Sequence, residues 1–549
     1  MKKPYFCTIN FKRLVMKTKL FFLLLTLGLV FPNLSKVAEA QIIEVSGLQS
    51  GVWEAETIVV KGNVTVQDSL NIMPGTTILF DGFYSINVKN NAKLNAIGTE
   101  NDSILFTIAD TTGFHVFDSG RGGWNGIRLD KAGACKFNYC RFQYGKAALD
   151  DDQDGGALRI FNSDNVEISH STLFCNFSRE HGGALNAVDS KVMIHDCKVN
   201  NNLTYTGLDT VYFMYGGGLR FLKCEVDIIK TNFRYNYGES AIGGAISIDS
   251  CEAKIDRCRF EYNYGINGAG LYLIRCYDNP CSITNSLFAN NISGHFGGGL
   301  AISDSSPLVS NLTVANNHSI GVNCGGIFFY QNSSPTVWNC IVYGNTNEAP
   351  LEEPVQMWSW TYDGYAPEFH NCLVQYGLEN ISNHEAITVY ENCLDEDPLF
   401  GGMAPDEFYI WTDSPCFNAG SLNTPTEVLE GLDLWDLPRV YGVIIDIGAY
   451  EVDPTGVQEN AKEESIIRIV GNPITPSSYA EIECENVCNL MAMVYSIDGK
   501  LLVNKNLGIV HIGLNRIEIG EMFQNLTNGT YLFVLGTAEK SFVTKIVKQ

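Results

Sequence analysis

Basic residues are scarce in this 549-residue chain: 37 Lys and Arg stand against 61 Asp and Glu, a formal net charge of -24. Residues 1–40 hold seven of the basic side chains and one acidic one, which leaves 30 basic against 60 acidic in the remainder. So acidic a surface repels phosphate backbones and excludes nucleic acid as a partner. Long apolar runs are missing as well. Past residue 40 nothing approaches the ~18 consecutive apolar residues of a membrane-spanning helix, so the mature chain is expected to be soluble or anchored by something other than a helix. The nine His do not fall at spacings that bring them together with acids.

The N-terminus has a layout of its own. Lys17 and Lys19 precede the apolar run 20–31, and Ala38-Glu39-Ala40 offers a small-x-small cleavage site before Gln41. That is the pattern of a secretory signal peptide, and Met16 is a reasonable start for it. Sixteen of the 17 Cys lie beyond residue 40. An exported chain permits disulfides, but the spacing assigns no pairs.

Glycine is abundant, 52 residues, and it is periodic. A small-residue pair followed by an apolar residue occurs at Gly156-Ala157-Leu158, Gly183-Ala184-Leu185, Gly217-Gly218-Leu219, Gly244-Ala245-Ile246, Ala269-Gly270-Leu271, Gly298-Gly299-Leu300 and Gly325-Gly326-Ile327. The apolar member recurs at intervals of 27, 34, 27, 25, 29 and 27 residues. Two positions later stands another apolar or small residue, the alternation of a half-buried strand. Five residues after each anchor comes a small polar residue: Ser163, Ser190, Cys224, Cys251, Cys276, Ser305 and Asn332. A second strand follows, read through pairs such as Cys140/Phe142, Thr172/Phe174 and Cys258/Phe260. Beyond it lies an asparagine, Asn202, Asn236, Asn263, Asn291, Asn317 or Asn345. Asparagine tolerates left-handed backbone and can bond the equivalent asparagine of a stacked coil.

Each period is thus a coil of two or three short strands that buries its inner face only by stacking on its neighbours. The spacing predicts an all-β fold, a parallel β-solenoid over residues 41–451, with the segment 41–61 and Trp53 as an N-terminal cap and an irregular closing region from Asp397. Residues 452–467 are polar and charged and read as a linker. Residues 468–549 carry strands joined by tight turns at Asp498-Gly499-Lys500 and Asn528-Gly529, a small β-sandwich domain.

Two family patterns emerge from these residues. Pro74-Gly75-Thr76, Trp124-Asn125-Gly126-Ile127, Asp397-Pro398-Leu399-Phe400, Asp436-Leu437-Pro438-Arg439 and Asp446-Ile447-Gly448-Ala449-Tyr450-Glu451 resemble the secreted right-handed parallel β-helix proteins of the pectate-lyase-like superfamily, in the group with polymorphic outer-membrane protein repeats. Asn472-Pro473, the segment 494–500, Asn528-Gly529-Thr530-Tyr531 and the terminal Lys545-Ile546-Val547-Lys548 resemble the C-terminal sorting domain of type IX secretion cargo. The second resemblance implies export through the periplasm and outer membrane by the type IX machinery, then release or attachment to surface lipopolysaccharide. Cys484 and Cys488 are not part of that pattern and could staple a local hairpin.

Lyases on this fold resemble one another in pairing an acidic calcium site with a basic residue. The calcium neutralises a uronate carboxylate and the base removes its α-proton. The local match is Asp150, Asp152 and Asp154 as metal ligands, against the reading of an acidic solvated turn. Arg128, Arg159 and Arg220 share one coil position, but the row is interrupted by Asn186 and Ser247, which favours isolated solvated arginines. Outward acids do not pair across coils, so no catalytic residue is assigned. Aromatic side chains argue for binding instead. Tyr235 and Tyr262 share a coil position, and the insertion 346–368 holds Trp358, Trp360, Tyr362 and Tyr365, projecting or folded back as a lid. Stacked outward rings suit sugar faces. The expected function is a secreted or surface β-helix that binds extracellular polysaccharide or other surface material without catalysis. A polysaccharide lyase or glycoside hydrolase and a structural surface component are the alternatives.

Overall fold

The computed structural model describes residues 41–548, apart from 151, 206–213, 278, 322, 349–355, 363, 402–405, 441–443, 453–466, 471–472, 477, 485–487, 497–500, 511–512 and 537–540. The expected signal peptide, nearly all of the linker and the 498–500 turn lie outside the described residues.

The strand Ile42–Trp53 runs parallel to Thr57–Ile72 and bends at Gly47 and Gly51, where φ is 68° and 87°. Those two positive-φ corners, natural for glycine, let one continuous strand pass along three sides of a coil. Thr57–Ile72 is covered in turn by Thr77–Phe80, Ile86–Lys89 and Lys93–Ile97. The segment read as a cap is therefore the first rung of the stack itself, with Trp53 buried at its end and Ile42, Leu48 and Val52 exposed along it.

From Ile127 to Asn347 each coil carries strands on four faces. One rung is Leu185–Val188, Lys191–His195, Lys198–Asn200 and Leu203–Thr204, each parallel to its counterpart in the next, Leu219–Leu222, Glu225–Ile229, Asn232–Arg234 and Tyr237–Gly238. We refer to these as the first to fourth faces. The fourth strand is only two residues long in most coils, too short for alternation to reveal it.

Stacking equivalent residues fills the interior. Leu158, Leu185, Leu219, Ile246, Leu271, Leu300 and Ile327 form one buried column on the first face. Phe233, Phe260 and Phe288 stack on the third, with ring centroids 4.8 and 4.5 Å apart. The third strand's inner residue in its second full rung is Leu173, paired with Phe142 and Val199, so the Thr172/Phe174 reading was out of register by one. Both of those side chains are half-buried on the outer side. A one-residue slip exchanges the two faces of a strand.

Polar columns satisfy the turns. Asn176, Asn202, Asn236, Asn263, Asn291, Asn317 and Asn345 form a continuous buried ladder in which each Nδ2 donates to the next Oδ1, and the column ends on Gln356 Oε1. At the turn after the first strand, the backbone N–H of Ser163, Cys224, Cys251 and Cys276 reaches the side-chain oxygen or sulfur of Ser190, Cys251, Cys276 and Ser305. The next member is Ser333 and not Asn332, whose amide turns outward to Asp304. The turn before the third strand repeats the device, with Cys340 and Cys372 passing N–H bonds to Cys372 and Cys393. The hydroxyls and thiols also donate to a carbonyl of the preceding strand, two residues back for Ser190 to Val188 and Cys340 to Trp338 and three for Ser333 to Tyr330. Cysteine and serine are interchangeable parts here. All 14 described cysteines whose side chains are placed are free thiols.

The closing region folds back along the outside of the third face. Phe408, Tyr409, Cys416, Ile447 and Tyr450 pack on the outward residues Leu287, Ala289, Ala315, Ile341 and Leu373. Gly448, at φ 105°, approaches so closely that an added Cβ would lie 2.7 Å from Ile341. The motif residues of this region hold it shut. Arg439 pairs with Glu451 at 3.0 Å, with the two side chains 0 and 1 % exposed. Asp433 accepts the N–H groups of Trp435, Leu437 and Glu451.

Residues 467–548 form two antiparallel sheets. One holds Ile467–Val470, Tyr479–Cys484 and Gly513–Glu518. The other holds Leu501–Val510, Cys488–Ser496, Gly529–Gly536 and Ser541–Lys548. They share a core that includes Leu490, Val494, Phe523, Phe533 and Ile546.

Candidate functional site

The outward side of the first face is where charged and aromatic groups gather. Its strands alternate, so residues two apart point out together. One outward row reads Arg128, Arg159, Asn186, Arg220, Ser247, Tyr272, Ala301, Phe328 and Trp358. Beside it, just before each coil's positive-φ glycine, runs a second row of bridged residues: Asp154, His181, Tyr215, Ile242, Asn267 and Phe296. The two rows meet along the helix axis, and their chemistry changes together from polar to apolar.

At the polar end the arginines are bonded to neighbouring side chains and not isolated in solvent. Arg128 is 2 % exposed and bonds Asp152 Oδ2 at 2.7 Å, Gly155 O at 2.8 Å and Asn125 Oδ1 at 3.1 Å. Arg159 takes Asp152 Oδ1 at 2.8 Å, and Arg220 donates to Asn186 Oδ1 at 3.2 Å. Both oxygens of Asp152 are thus held by guanidinium groups. Asp150 is solvent-exposed and pairs with Arg179 at 2.9 Å. Asp154 Oδ2 accepts from Asn186 at 3.3 Å. Asp151 is outside the described residues. Guanidinium groups thus hold both oxygens of Asp152 and one of Asp150, while Asp154 turns to Asn186, so the three carboxylates do not gather into one donor set for calcium.

The metal-capable groups that do converge among the described residues are Asp154, Glu180 and His181, with ligand atoms within 4.8 Å of one another. His181 Nδ1 accepts the Tyr215 N–H at 3.2 Å, which leaves the ring proton on Nε2. Burial, aided by Arg220, pushes this imidazole down to about 3, so it is neutral. Burial pushes Asp154 up to about 6, against the pull of Arg220, and its Oδ1 lacks a hydrogen-bond partner. A ring with its lone pair already engaged is a poor ligand, and the trio is a half-buried acid, an exposed glutamate and a neutral imidazole beside a guanidinium.

At the apolar end the two rows close on each other. Ile242, Tyr272, Ala301, Cys324 and Phe328 form a small outer core, with Tyr215, Phe296, Tyr330 and Trp358 half-buried around it. Burial pushes the Tyr272 phenol up to about 12. The expected insertion 346–368 turns out to contain a regular first-face strand, Met357–Thr361, in register with Ile327–Gln331. It was missed because Gln356 stands where other coils have a glycine pair. Met357 points in, Trp358 packs over Phe328's rung, and Trp360 lies beyond Tyr330.

What remains open to solvent is a patch on the last rungs. Trp360 is 51 % exposed and meets Tyr330 edge-on at 5.8 Å, and Tyr362 and Tyr277 are each 56 % exposed. Polar groups flank the rings. Asp304 accepts from Asn332 at 2.9 Å and its charge raises the nearby Tyr277 phenol, after the larger effect of burial, while Arg275 forks onto Asp249. Of these residues only Trp360 and Tyr362 stand out in the sequence as candidates for binding. Tyr330, Arg275, Asp304 and Tyr277 become visible once the rungs are in register.

Tyr235 and Tyr262 lie elsewhere, at the left-handed corner between the third and fourth faces, with φ 57° and 56°. Their rings stack at 5.2 Å and 14°, and Arg234 sits 5.6 and 5.5 Å from the two centroids. Tyr237 and Tyr264 stack similarly at 4.7 Å. Tyr205 is packed edge-on against Phe117, and Tyr212 is outside the described residues.

Among curated proteins nothing matches the chain. The family model described as the right-handed beta helix region matches residues 95–307 and 243–398, together more than half of the sequence. Parallel four-strand rungs, an internal asparagine ladder and that match agree, and the chain belongs to the right-handed β-helix family.

Proposed function

We propose that this protein is exported and binds extracellular polysaccharide through the outward first-face patch around Tyr330, Trp360 and Tyr362, without chemistry of its own. The observation that carries the reading is Trp360, a half-exposed indole set edge-on to Tyr330 in a field of paired carboxylate, amide and guanidinium groups. Sugar rings present apolar C–H faces to aromatic rings and hydroxyls to such polar groups. Tyr235 and Tyr262 supply a second aromatic surface of the same kind. Export rests on the signal-like N-terminus and on the sorting-domain pattern over 468–549. These make the type IX machinery the partner in transport and the outer surface, with its lipopolysaccharide, the destination.

The test is to incubate the purified chain with uronate-rich and neutral polysaccharides, with and without calcium, following retention on insoluble glycan together with unsaturated products and reducing ends. Retention lost in Trp360→Ala, with no product, is the expected result. Time-dependent product abolished by Arg159→Ala or Arg220→Ala would replace this reading with a lyase or hydrolase on the same face. Neither retention nor product would leave a structural surface component.

A further inference from the structure

The free thiols are not equally placed. Of the 14, only Cys281 and Cys393 have appreciable solvent exposure. Cys281 opens the second strand of its rung, and it follows a turn longer than its neighbours. The first strand ends at Ile274 and the second begins at Cys281, whereas in the preceding rung Asp249 is followed by Glu252. Cys276 sits at the start of this longer turn, 2 % exposed, in the serine and cysteine column.

Both sulfurs are drawn to one residue of the rung below. The N–H of Cys251 points at Cys276 Sγ at 3.4 Å, and Cys281 Sγ donates to Cys251 O at 3.3 Å. The two sulfurs thus converge on the N–H and the C=O of a single residue, and as neighbours they pull each other's titration apart, the Cys276 thiol below its ordinary value and the Cys281 thiol above it. One buried sulfur therefore sits beside one that solvent reaches. Thiol–disulfide exchange requires this arrangement, an accessible sulfur for the first attack and a resolving sulfur beside it.

We propose that Cys276 and Cys281 are an oxidation site that forms an intrachain disulfide on meeting a small-molecule disulfide. The accessible Cys281 sulfur gives up its proton to water as it attacks the small disulfide, a protein–small-molecule S–S bond forms, and one small thiolate leaves. Cys276 thiolate then attacks the Cys281 sulfur, the intrachain S–S bond forms, and the second small thiolate leaves. The protein loses two electrons and two thiol protons, and the small disulfide is reduced to two thiols. The bond closes the base of the turn that carries Tyr277, beside Asp304 and Asn332. It holds in place that edge of the exposed patch whether or not the patch binds glycan.

The test is to treat the full reduced chain with oxidised glutathione, block free thiols with an alkylating reagent, and map the digest by mass spectrometry. The expected product is a Cys276–Cys281 linkage that appears on oxidation and vanishes on reduction, with Cys224, Cys251 and Cys258 still alkylatable after unfolding. Cys276→Ser should fold, since serine serves the same column at Ser305. It should stop at a stable glutathione adduct on Cys281. The proposal is overturned if the wild-type chain also stops at that adduct, or if Cys281 stays fully reduced, or if the linkage joins Cys281 to another cysteine.

Discussion

The side-chain amide of Asn236 donates to Asn263 Oδ1 at 3.0 Å, and the backbone N–H of Asn236 reaches the same oxygen at 3.0 Å. One side-chain oxygen thereby satisfies two buried donors of the coil below, while Asn263 Nδ2 serves Phe233 O and Asn291. Asn263→Ala strands all of these groups at once. A buried unsatisfied polar group costs about 1–3 kcal/mol, so the variant should unfold at clearly lower denaturant concentration, followed by circular dichroism near the strand minimum. Asn263→Gln, longer by a methylene in a closed column, should rescue little of the loss.

Gly217 gives the sharpest steric expectation. A Cβ there would lie 2.3 Å from Gly244 O, a backbone atom that hydrogen bonds hold in place. Gly217→Ala must push adjacent rungs apart, and overpacking of this kind costs about 1–3 kcal/mol or more. Gly364→Ala, where nothing lies within 4 Å but φ is 89°, should cost only the ~1 kcal/mol of a left-handed alanine. Thermal melts of the two variants distinguish contact from backbone strain.

Asp154 has an unusual pH signature. Its native value is near 6 against 3.8 for the ordinary carboxyl, raised first by burial. The native state therefore binds more protons than the unfolded state between those values, and stability should rise as pH falls from 7 toward 4. The stabilisation is present below about pH 4 and lost as pH climbs through 6. Asp446, also near 6, has the same sign. Asp154→Asn should stabilise the protein at pH 7 by at most about 3 kcal/mol and flatten, without abolishing, the slope of melting temperature against pH. An unchanged slope would show that Arg220 keeps Asp154 ionised throughout.

Glu451→Gln removes the counter-charge of a guanidinium that is fully buried. Breaking such a pair costs about 3–5 kcal/mol, and here the loss should fall on the closing region first. Hydrogen exchange should speed up across 406–452 while the rungs before Leu219 stay protected. Uniform loss of protection along the whole stack would mean that the closing region and the coils unfold as one unit.

Much of the fold is legible residue by residue. The anchors from Leu158 to Ile327 stack as their spacing requires, and Asn202 to Asn345 form the ladder that their shared position suggests. Two elements are hidden by the residues that build them. Thr172 was read one residue out because threonine and serine are equally plausible turn residues, and only Leu173's burial decides between them. The strand at Met357 was hidden because its rung substitutes Gln356 for a glycine pair, a swap that works only because its amide can end the asparagine column. The candidate site was less legible still. Trp360 and Tyr362 stand out as aromatics, but Tyr330, Asp304 and Arg275 are unremarkable in the sequence and come from different rungs.

Periodicity alone determined that this chain stacks into parallel coils, because a repeat that cannot bury its own inner face must use its neighbours, and that need is written into every period. Which outward side chains meet was decided only by tertiary structure. Residues some 27 apart become neighbours across a rung, and a shift of one position or one overlooked strand changes every partner. That is why both oxygens of Asp152 are taken by Arg128 and Arg159 from two different rungs, and why Trp360 stands over Tyr330.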